Sequence, residues 1–450
     1  MKGFLEIYIK RPIKRFFHIV QSQVESVKLK SPSRNLKLIA VTGTSGKSST
    51  ASMIFHVLRE NGFNVGLIST VEAIAGNKKI DTGLHVTTPD AKDLQNLLGK
   101  MYEENIEYVV VETSSHAIAQ GRLGLLKFDF AVYTNIKRDH LDWHGTWEEY
   151  AKAKAGLIDK LRSNGKLIVN KDDKQSYDYL RQYYYSQTRN PLNFIEYSKV
   201  QEVTNVQNTI DGIIFDYSNS KFSIPILGEY NIDNAIATAK VAQQLGVTPV
   251  NIAKAFSSFK GVKGRMEVLQ TEPFGIIVDF AHNTDSLEKS LQSIRAINGV
   301  KNVTAVFGSA GLRDKEKRFT MGEVAAKFSN VVIATSEDPR TESLLEINTA
   351  IIEGAIRSGA RLIKRFANNQ EYIEYISNPK NLILQDDKLI FAFDQETVDS
   401  RFDAIDFALR IAKPGDVVIT EGKGHEQSLC FGTTEYPFSD QAAVEKALKP

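Results

Sequence analysis

The run Ala40-Val-Thr-Gly-Thr-Ser-Gly-Lys-Ser-Ser49 limits what this chain can fold into more than any other stretch. Before it lies a short apolar segment, Leu36 to Val41, interrupted by one Lys; after it Met53, Ile54, Val57 and Leu58 recur at helical spacing. Strand, glycine-bearing loop and helix in that order make a phosphate cradle. Glycines let the main chain approach a polyphosphate, and the N–H groups at the helix start point at it. Gly43, Thr44, Ser45, Gly46, Lys47, Ser48 and Ser49 are therefore candidate nucleotide-binding residues. Lys47 is placed to reach the β and γ oxygens, and the Ser48 hydroxyl to ligate Mg²⁺. The general phosphate-loop pattern has its first glycine at the position of Val41, so the fit to that pattern is incomplete.

From residue 36 the pattern runs strand, helix, strand, which predicts an α/β fold with a parallel sheet covered on both faces. Ile106 to Val111 and Phe128 to Tyr133 read as buried strands. Ligands bind at the C-terminal ends of such strands. The first strand ends at the phosphate loop, the next two in Glu112-Thr-Ser-Ser-His116 and in the segment Thr134 to Asp142, so three polar clusters converge at one sheet edge. Residues 165 to 230 mix short β-rich pieces with polar stretches, including Tyr183-Tyr-Tyr185, and read as the closing strands of the first domain, and Gly228 to Asn234 opens an Ala-rich helix reaching about Leu245. After Gly264 the alternation starts afresh, with strands expected at Gly275 to Phe280, Asn302 to Phe307, Val331 to Thr335, Leu389 to Phe393 and Asp416 to Thr420. The expected organisation is an N-terminal segment 1–35, a central parallel-sheet P-loop ATPase domain 36–262, and a smaller Rossmann-like α/β domain 263–450.

Composition narrows the class. A net charge of +2, with 24% charged residues and no long single-sign block, gives no reason to expect nucleic acid as a partner. The lone cysteine, Cys430, excludes an internal disulfide and a cysteine metal cluster and fits a reducing cytoplasm. No apolar run reaches the roughly 18 residues that a membrane span needs. The first 35 residues stand apart: Phe4, Leu5, Ile7, Ile13, Phe16, Phe17, Ile19 and Val20 alternate with Lys2, Lys10, Arg11, Lys14 and Arg15, and Pro12 divides two short amphipathic segments. Docking on the protein's own surface is the preferred reading; the sharper one is a basic helix lying on an anionic membrane.

Glu112 follows a buried strand and stands close to the phosphate loop, where a carboxylate holds Mg²⁺ or orients its water. His140 is read as either a second metal ligand or a structural histidine in a turn, and Lys154 by itself is an ordinary helix lysine.

Taken together, Thr42-Gly-Thr-Ser-Gly-Lys-Ser-Ser-Thr50, Glu112 to His116, Asp139-His-Leu-Asp-Trp-His-Gly145, Tyr150 to Lys154, Gly264-Arg-Met-Glu267, Val278-Asp-Phe-Ala-His-Asn283, Gly311-Leu-Arg-Asp-Lys315 and Gly422-Lys-Gly-His-Glu426 resemble the Mur ligase family in order and spacing. Within it the chain is most similar to the tripeptide-synthetase branch, which adds the third residue of the peptidoglycan stem peptide. The resemblance covers about residues 36 to 445. It implies ATP bound through Lys47 and Ser48, and Mg²⁺, two ions in all, held by Ser48, Glu112, His140 and a carbamate carried on Lys154. It implies that Asn234, Arg265, Asp279 and His282 serve the nucleotide, and that Thr87, Thr88, Ser114, Gln120 and Arg122 hold a muramoyl-peptide acceptor. Lys47, Glu112, His140, Lys154 and Arg265 form the expected catalytic set.

The resemblance further implies an amino-acid pocket at Arg313, Glu337, Asp338, Arg340, Gly422 and Glu426. A second guanidinium, Arg340, beside Arg313 suits an amino acid with an extra carboxylate, which favours meso-diaminopimelate over lysine. The chain departs from the family in having Glu337-Asp338 where Asp-Asn is usual, and in having about 35 residues where the family carries a uridine-binding domain. The expected activity is ATP-dependent amide ligation through an acyl phosphate, by a cytoplasmic monomer, with possible peripheral membrane contact through residues 1–30. Alternatives are a related ligase acting on a poly-amino-acid or polyglutamate acceptor, and a non-catalytic nucleotide-binding partner.

Overall fold

The computed structural model describes residues 11–28, 32–80, 87–139, 141–187, 189–384 and 388–449. Two compact units emerge, one made of Met1–Val206, Ile214–Ile224 and Tyr230–Phe259, the other of Gln207–Ile213, Pro225–Glu229 and Lys260–Pro450.

Eight strands make the sheet of the first unit: β1 (Lys37–Thr42), β2 (Val65–Ile68), β3 (Ala73–Ala75), β4 (Lys78–Ile80), β5 (Tyr108–Glu112), β6 (Phe128–Tyr133), β7 (Leu161–Asn170) and β8 (Phe194–Tyr197). Their order is β4-β3-β2-β5-β1-β6-β7-β8. The six strands from β2 to β8 in that order pair in parallel, and the β3 and β4 edge is antiparallel. The Val and Ile runs of β1, β2 and β5 are buried, as strands covered on both faces must be. Register sets the site: Val41 lies opposite Glu112, and Thr42 opposite Tyr133, so the ends of β1, β5 and β6 stand level.

The Tyr-rich stretch corrects one expectation. It is not one of the closing strands; Lys174–Ser186 is a helix that buries Ser176, Leu180 and Tyr184, a four-residue spacing that the surrounding tyrosines obscured. Of the two amphipathic segments expected on either side of Pro12, the first lies outside the described residues. Arg11–Lys28 is one helix with Pro12 in its first turn, where a missing N–H costs nothing.

Strands β9 (Val203–Thr209), β10 (Gly212–Tyr217) and β11 (Ser220–Ile224) form a separate small sheet. The second unit holds β12 (Glu267–Gln270), β13 (Gly275–Val278), β14 (Val303–Phe307), β15 (Val331–Ala334), β16 (Arg361–Phe366), β17 (Leu389–Phe393) and β18 (Val417–Thr420), ordered β12-β13-β18-β14-β15-β17-β16. A hairpin of β19 (Ser428–Phe431) and β20 (Thr434–Pro437) comes next. The five expected strands are all present within a residue or two. The two edges, β12 and β16, are additional, and their half-exposed, charge-bearing sequences hide them from a search for apolar runs. Phe366, Phe391, Phe393 and Phe407 fill the core on one face of this sheet.

Candidate active site

β1 delivers the phosphate loop and the helix Lys47–Glu60 begins at its lysine. The loop is held by Thr134 and Asn135, directly after the end of β6. Thr44 N donates to Asn135 O at 2.8 Å. Ser45 N donates to Asn135 Oδ1 at 3.0 Å, and Thr134 Oγ1 donates to Ser45 O at 2.6 Å. Gly43 is required by this closeness, since a Cβ there would collide with the Thr134 hydroxyl. Gly46 is required twice over: its φ is 82°, and a Cβ would run into Asn234 Oδ1. Asn234 therefore sits against the loop, and its Oδ1 also accepts from Thr50 Oγ1 at 3.1 Å.

The charged groups gather beside the loop. Ser48 Oγ donates to Glu112 Oε1 at 3.0 Å, and the other carboxylate oxygen takes Thr70 N at 2.9 Å. Lys47 Nζ folds back on Thr44 O at 2.8 Å, and Ser49 is half-buried in the first helical turn. Lys154 is 1% exposed, which overturns its default reading as a solvated helix lysine. Its Nζ donates to Gly43 O at 2.7 Å, and Tyr133 OH caps its carbonyl at 2.7 Å. Burial, reinforced by the Lys47 charge, holds the Lys154 amine well below the usual lysine range. His140 lies outside the described residues. Among the described residues no group of three His, Cys, Asp or Glu side chains forms a ready-made metal cage.

Thr88, Ser114, Gln120 and Arg122 form one connected patch beside Glu112. Thr88 Oγ1 donates to Glu112 O at 3.1 Å and accepts from Ser114 N at 3.0 Å. Arg122 reaches Thr88 O at 3.0 Å through Nη1 and Gln120 Oε1 at 2.9 Å through Nε, with Thr87 in the same turn. Asn135, Thr134, Tyr150 and Tyr133 were not singled out from sequence. Thr134-Asn135 had a signal in its place directly after a buried strand; Tyr150, 3.1 Å from the Thr44 hydroxyl, had one only in its motif.

In the second unit, Arg265 stacks on Phe280 with its guanidinium carbon 4.3 Å from the ring centre. Asp279 is buried, and its carboxylate accepts from Met266 N at 2.7 Å and Ala281 N at 3.1 Å. Burial raises its pKa, with the Arg265 charge opposing. His282 is fixed by Phe280 O at 3.0 Å from Nδ1. The ends of adjacent strands β18, β14 and β15 then bring the remaining predicted residues together. Gly311 N donates to Asp338 O at 3.0 Å, and Arg340 Nη1 donates to Gly311 O at 2.9 Å. Lys423 Nζ bridges Asp338 Oδ1 at 2.9 Å and Glu426 Oε2 at 2.5 Å. Gly422 has a φ of 103° and lies so close to Glu337 that a Cβ would stand 2.6 Å from Oε2. That oxygen is buried without a hydrogen-bond partner. Burial pushes the Glu337 carboxyl up to about 8, against the pull of Lys317, Arg401 and Lys423. Asp338 and Arg340 both hold positive φ, 45° and 55°, a strained pair on a loop that presents polar groups. Arg313 is exposed on the facing loop.

The pattern of the Mur ligase middle domain matches residues 41–242, and that of the Mur ligase glutamate ligase domain matches residues 264–424. The UDP-N-acetylmuramoyl-L-alanyl-D-glutamate–2,6-diaminopimelate ligase of Caldanaerobacter subterraneus is 33% identical over 423 residues, 93% of this chain and 79% of the relative. The chain belongs to the Mur ligase family. The UDP-N-acetylmuramyl-tripeptide synthetase of Roseiflexus is 33% identical over 434 residues, 93% of this chain and 79% of that one. A solved structure of a diaminopimelate ligase of the same designation shares 28% identity with a TM-score of 0.63, covering 96% of this chain and 82% of that one. Folylpolyglutamate synthase of Mycobacterium tuberculosis, solved with ADP and AMPPCP, shares the fold, with a TM-score of 0.67 at 16% identity over 90% of this chain and 92% of that one. This Mur ligase is an ATP-dependent ligase of the P-loop and Rossmann-like architecture.

Proposed function

We propose that this Mur ligase adds meso-diaminopimelate to the D-glutamate carboxylate of a muramoyl dipeptide, in the cytoplasm and as a monomer. The observation that carries the reading is the meeting of Lys47, Ser48, Glu112 and Lys154 at the phosphate loop, in a chain whose relatives bear that activity in their names.

The residues present fit the groups such a reaction needs. Ser48 Oγ and the Glu112 carboxylate already face one another, and with His140 they are the proposed Mg²⁺ ligands. A buried, depressed amine at Lys154 is a free nucleophile toward CO₂. Its nitrogen lone pair bonds to carbon, a proton leaves, and an anionic oxygen ligand replaces an amine that in its charged form would repel a cation. ATP with Mg²⁺ supplies the phosphoryl group and neutralises its charge.

A free carboxylate is a poor electrophile with no good leaving group, so an oxygen of the acceptor's carboxylate first takes the γ-phosphoryl group while ADP leaves. Loop N–H groups and Lys47 are the proposed stabilisers of the charge on the phosphoryl oxygens. Thr88, Ser114, Gln120 and Arg122 are the proposed holders of the acceptor, their own bonds to one another fixing the patch. The incoming amine then attacks the acyl carbon, loses a proton, and phosphate departs. Arg313 and Arg340 offer two guanidinium groups to the amino acid's carboxylates, with Glu337, Asp338, Gly422 and Glu426 shaping the site around its amines. Arg265, Asp279 and His282 are proposed to serve the nucleotide.

The test is phosphate release with muramoyl-dipeptide acceptors, with and without UDP, and with a polyglutamate acceptor, against a panel of amino acids. Release is expected with diaminopimelate. Release only with a polyglutamate acceptor moves the substrate to the folylpolyglutamate branch, and none with any acceptor overturns the ligase reading.

A further inference from the structure

The helix Arg11–Lys28 packs on the helices Ala91–Glu103 and Ser115–Gln120 through its polar side. Ser22 is 1% exposed and seats so closely on Gly124 that any Cβ there would collide with it; its hydroxyl accepts from Gln95 Nε2 at 3.3 Å. His18 is buried on the same side. The apolar stripe points away: Ile13, Phe16, Phe17, Val20, Val24 and Val27 are 40% to 75% exposed. Their spacing of three, four and seven residues makes one continuous face. An amphipathic helix ordinarily buries that face against its own protein, so this arrangement leaves a large apolar surface with another use.

Charge says what the use is. Residues 1–35 hold eight Lys and Arg against two Glu, a net +6, in a chain whose total is +2, so the rest of the protein is net acidic. A second copy pairing face to face would bring +6 against +6. An anionic bilayer surface satisfies both features at once, the stripe entering the headgroup boundary and the net positive charge of the segment being drawn to the negative surface. Among the described residues no helix is long and apolar enough to cross a membrane.

We infer that the helix Arg11–Lys28 is a peripheral membrane anchor that seats this protein on anionic lipid through Ile13, Phe16, Phe17, Val20, Val24 and Val27. The experiment is co-sedimentation of the full chain with phosphatidylcholine vesicles and with phosphatidylcholine–phosphatidylglycerol vesicles. Binding is expected only with the second, and weakens as NaCl rises from about 0.1 M to about 0.5 M through screening. Phe16→Ser/Phe17→Ser is expected to weaken it at least about tenfold by removing inserted apolar area. Melting temperature and turnover of a soluble acceptor are expected to stay at wild-type values, since both side chains are exposed. Val24→Ser/Val27→Ser on the same stripe is the second variant, with the same expectation. Absence of binding to both vesicles, or equal binding by wild type and both variants, overturns the inference. A dimer in light scattering that the variants dissolve also overturns it, because the occupant is then a second copy.

Discussion

Arg401, in the helix Asp399–Ile411, and Asp440 are both fully buried and face one another through two bonds, Nε to Oδ1 at 2.7 Å and Nη2 to Oδ2 at 2.6 Å. The same guanidinium donates to Ser336 O at 3.1 Å and Glu421 O at 2.9 Å. Those carbonyls lie just past the ends of β15 and β18, one residue before Glu337 and Gly422. Arg401→Met keeps much of the volume but leaves a carboxylate buried without a partner, which costs about 3–5 kcal/mol. Two orphaned carbonyls add about 1–3 kcal/mol each if neither finds water, an upper limit because the effects overlap. A domain of this size is stable by about 5–15 kcal/mol, so the single variant is expected to lose roughly half its stability. Arg401→Met/Asp440→Leu removes the stranded charge and is expected to recover at least about 2 kcal/mol of the loss. Urea titration of wild type, both single variants and the double variant reads the coupling. Arg401→Met within about 1 kcal/mol of wild type, or a double variant no better than Arg401→Met, would refute the reasoning.

Lys154→Ala is expected to lower turnover by about 10² or more, with partial rescue by a short-chain carboxylic acid if an anionic ligand is what is missing. Equal rates for wild type and variant remove Lys154 from the site. Arg340→Ala is expected to weaken diaminopimelate use by about 1.5–3 kcal/mol more than lysine use, read as a ratio of kcat/KM values. A uniform loss assigns the arginine to its Gly311 contact. Glu337 titrates near 4.5 when unfolded and about 8 when folded, so between those values the folded state holds the extra proton and stability falls as pH rises. Glu337→Gln is therefore expected to gain on wild type by about 3 kcal/mol from pH 5 to pH 8 in urea midpoints, and parallel profiles contradict the buried, protonated carboxyl. Gly46→Ala, strained at a φ of 82° and driven into Asn234, is expected to lose about 1 kcal/mol or more of stability and to bind ATP more weakly in a nucleotide titration.

What the sequence determined by itself is local and periodic. The glycines, Lys47 and Ser48 between a strand and a helix announced the phosphate loop, and buried Val and Ile runs announced the central strands of both sheets, because those signals lie within a few residues of one another. The eight motifs, in their order along the chain, carried the family. Tertiary structure decided what those signals leave open. Asn135 and Thr134 clasp the loop because parallel pairing sets the end of β6 beside that of β1. Asn234 bonds to Thr50 from 184 residues away. Lys154 looks like a solvated helix lysine in sequence; only packing buries its amine beneath Gly43 O and lowers its pKa. The N-terminal stripe shows the same division. Periodicity specified an apolar face on Arg11–Lys28, but which side meets the protein depended on Ser22 being small enough to sit on Gly124, a steric fit between elements far apart in the chain.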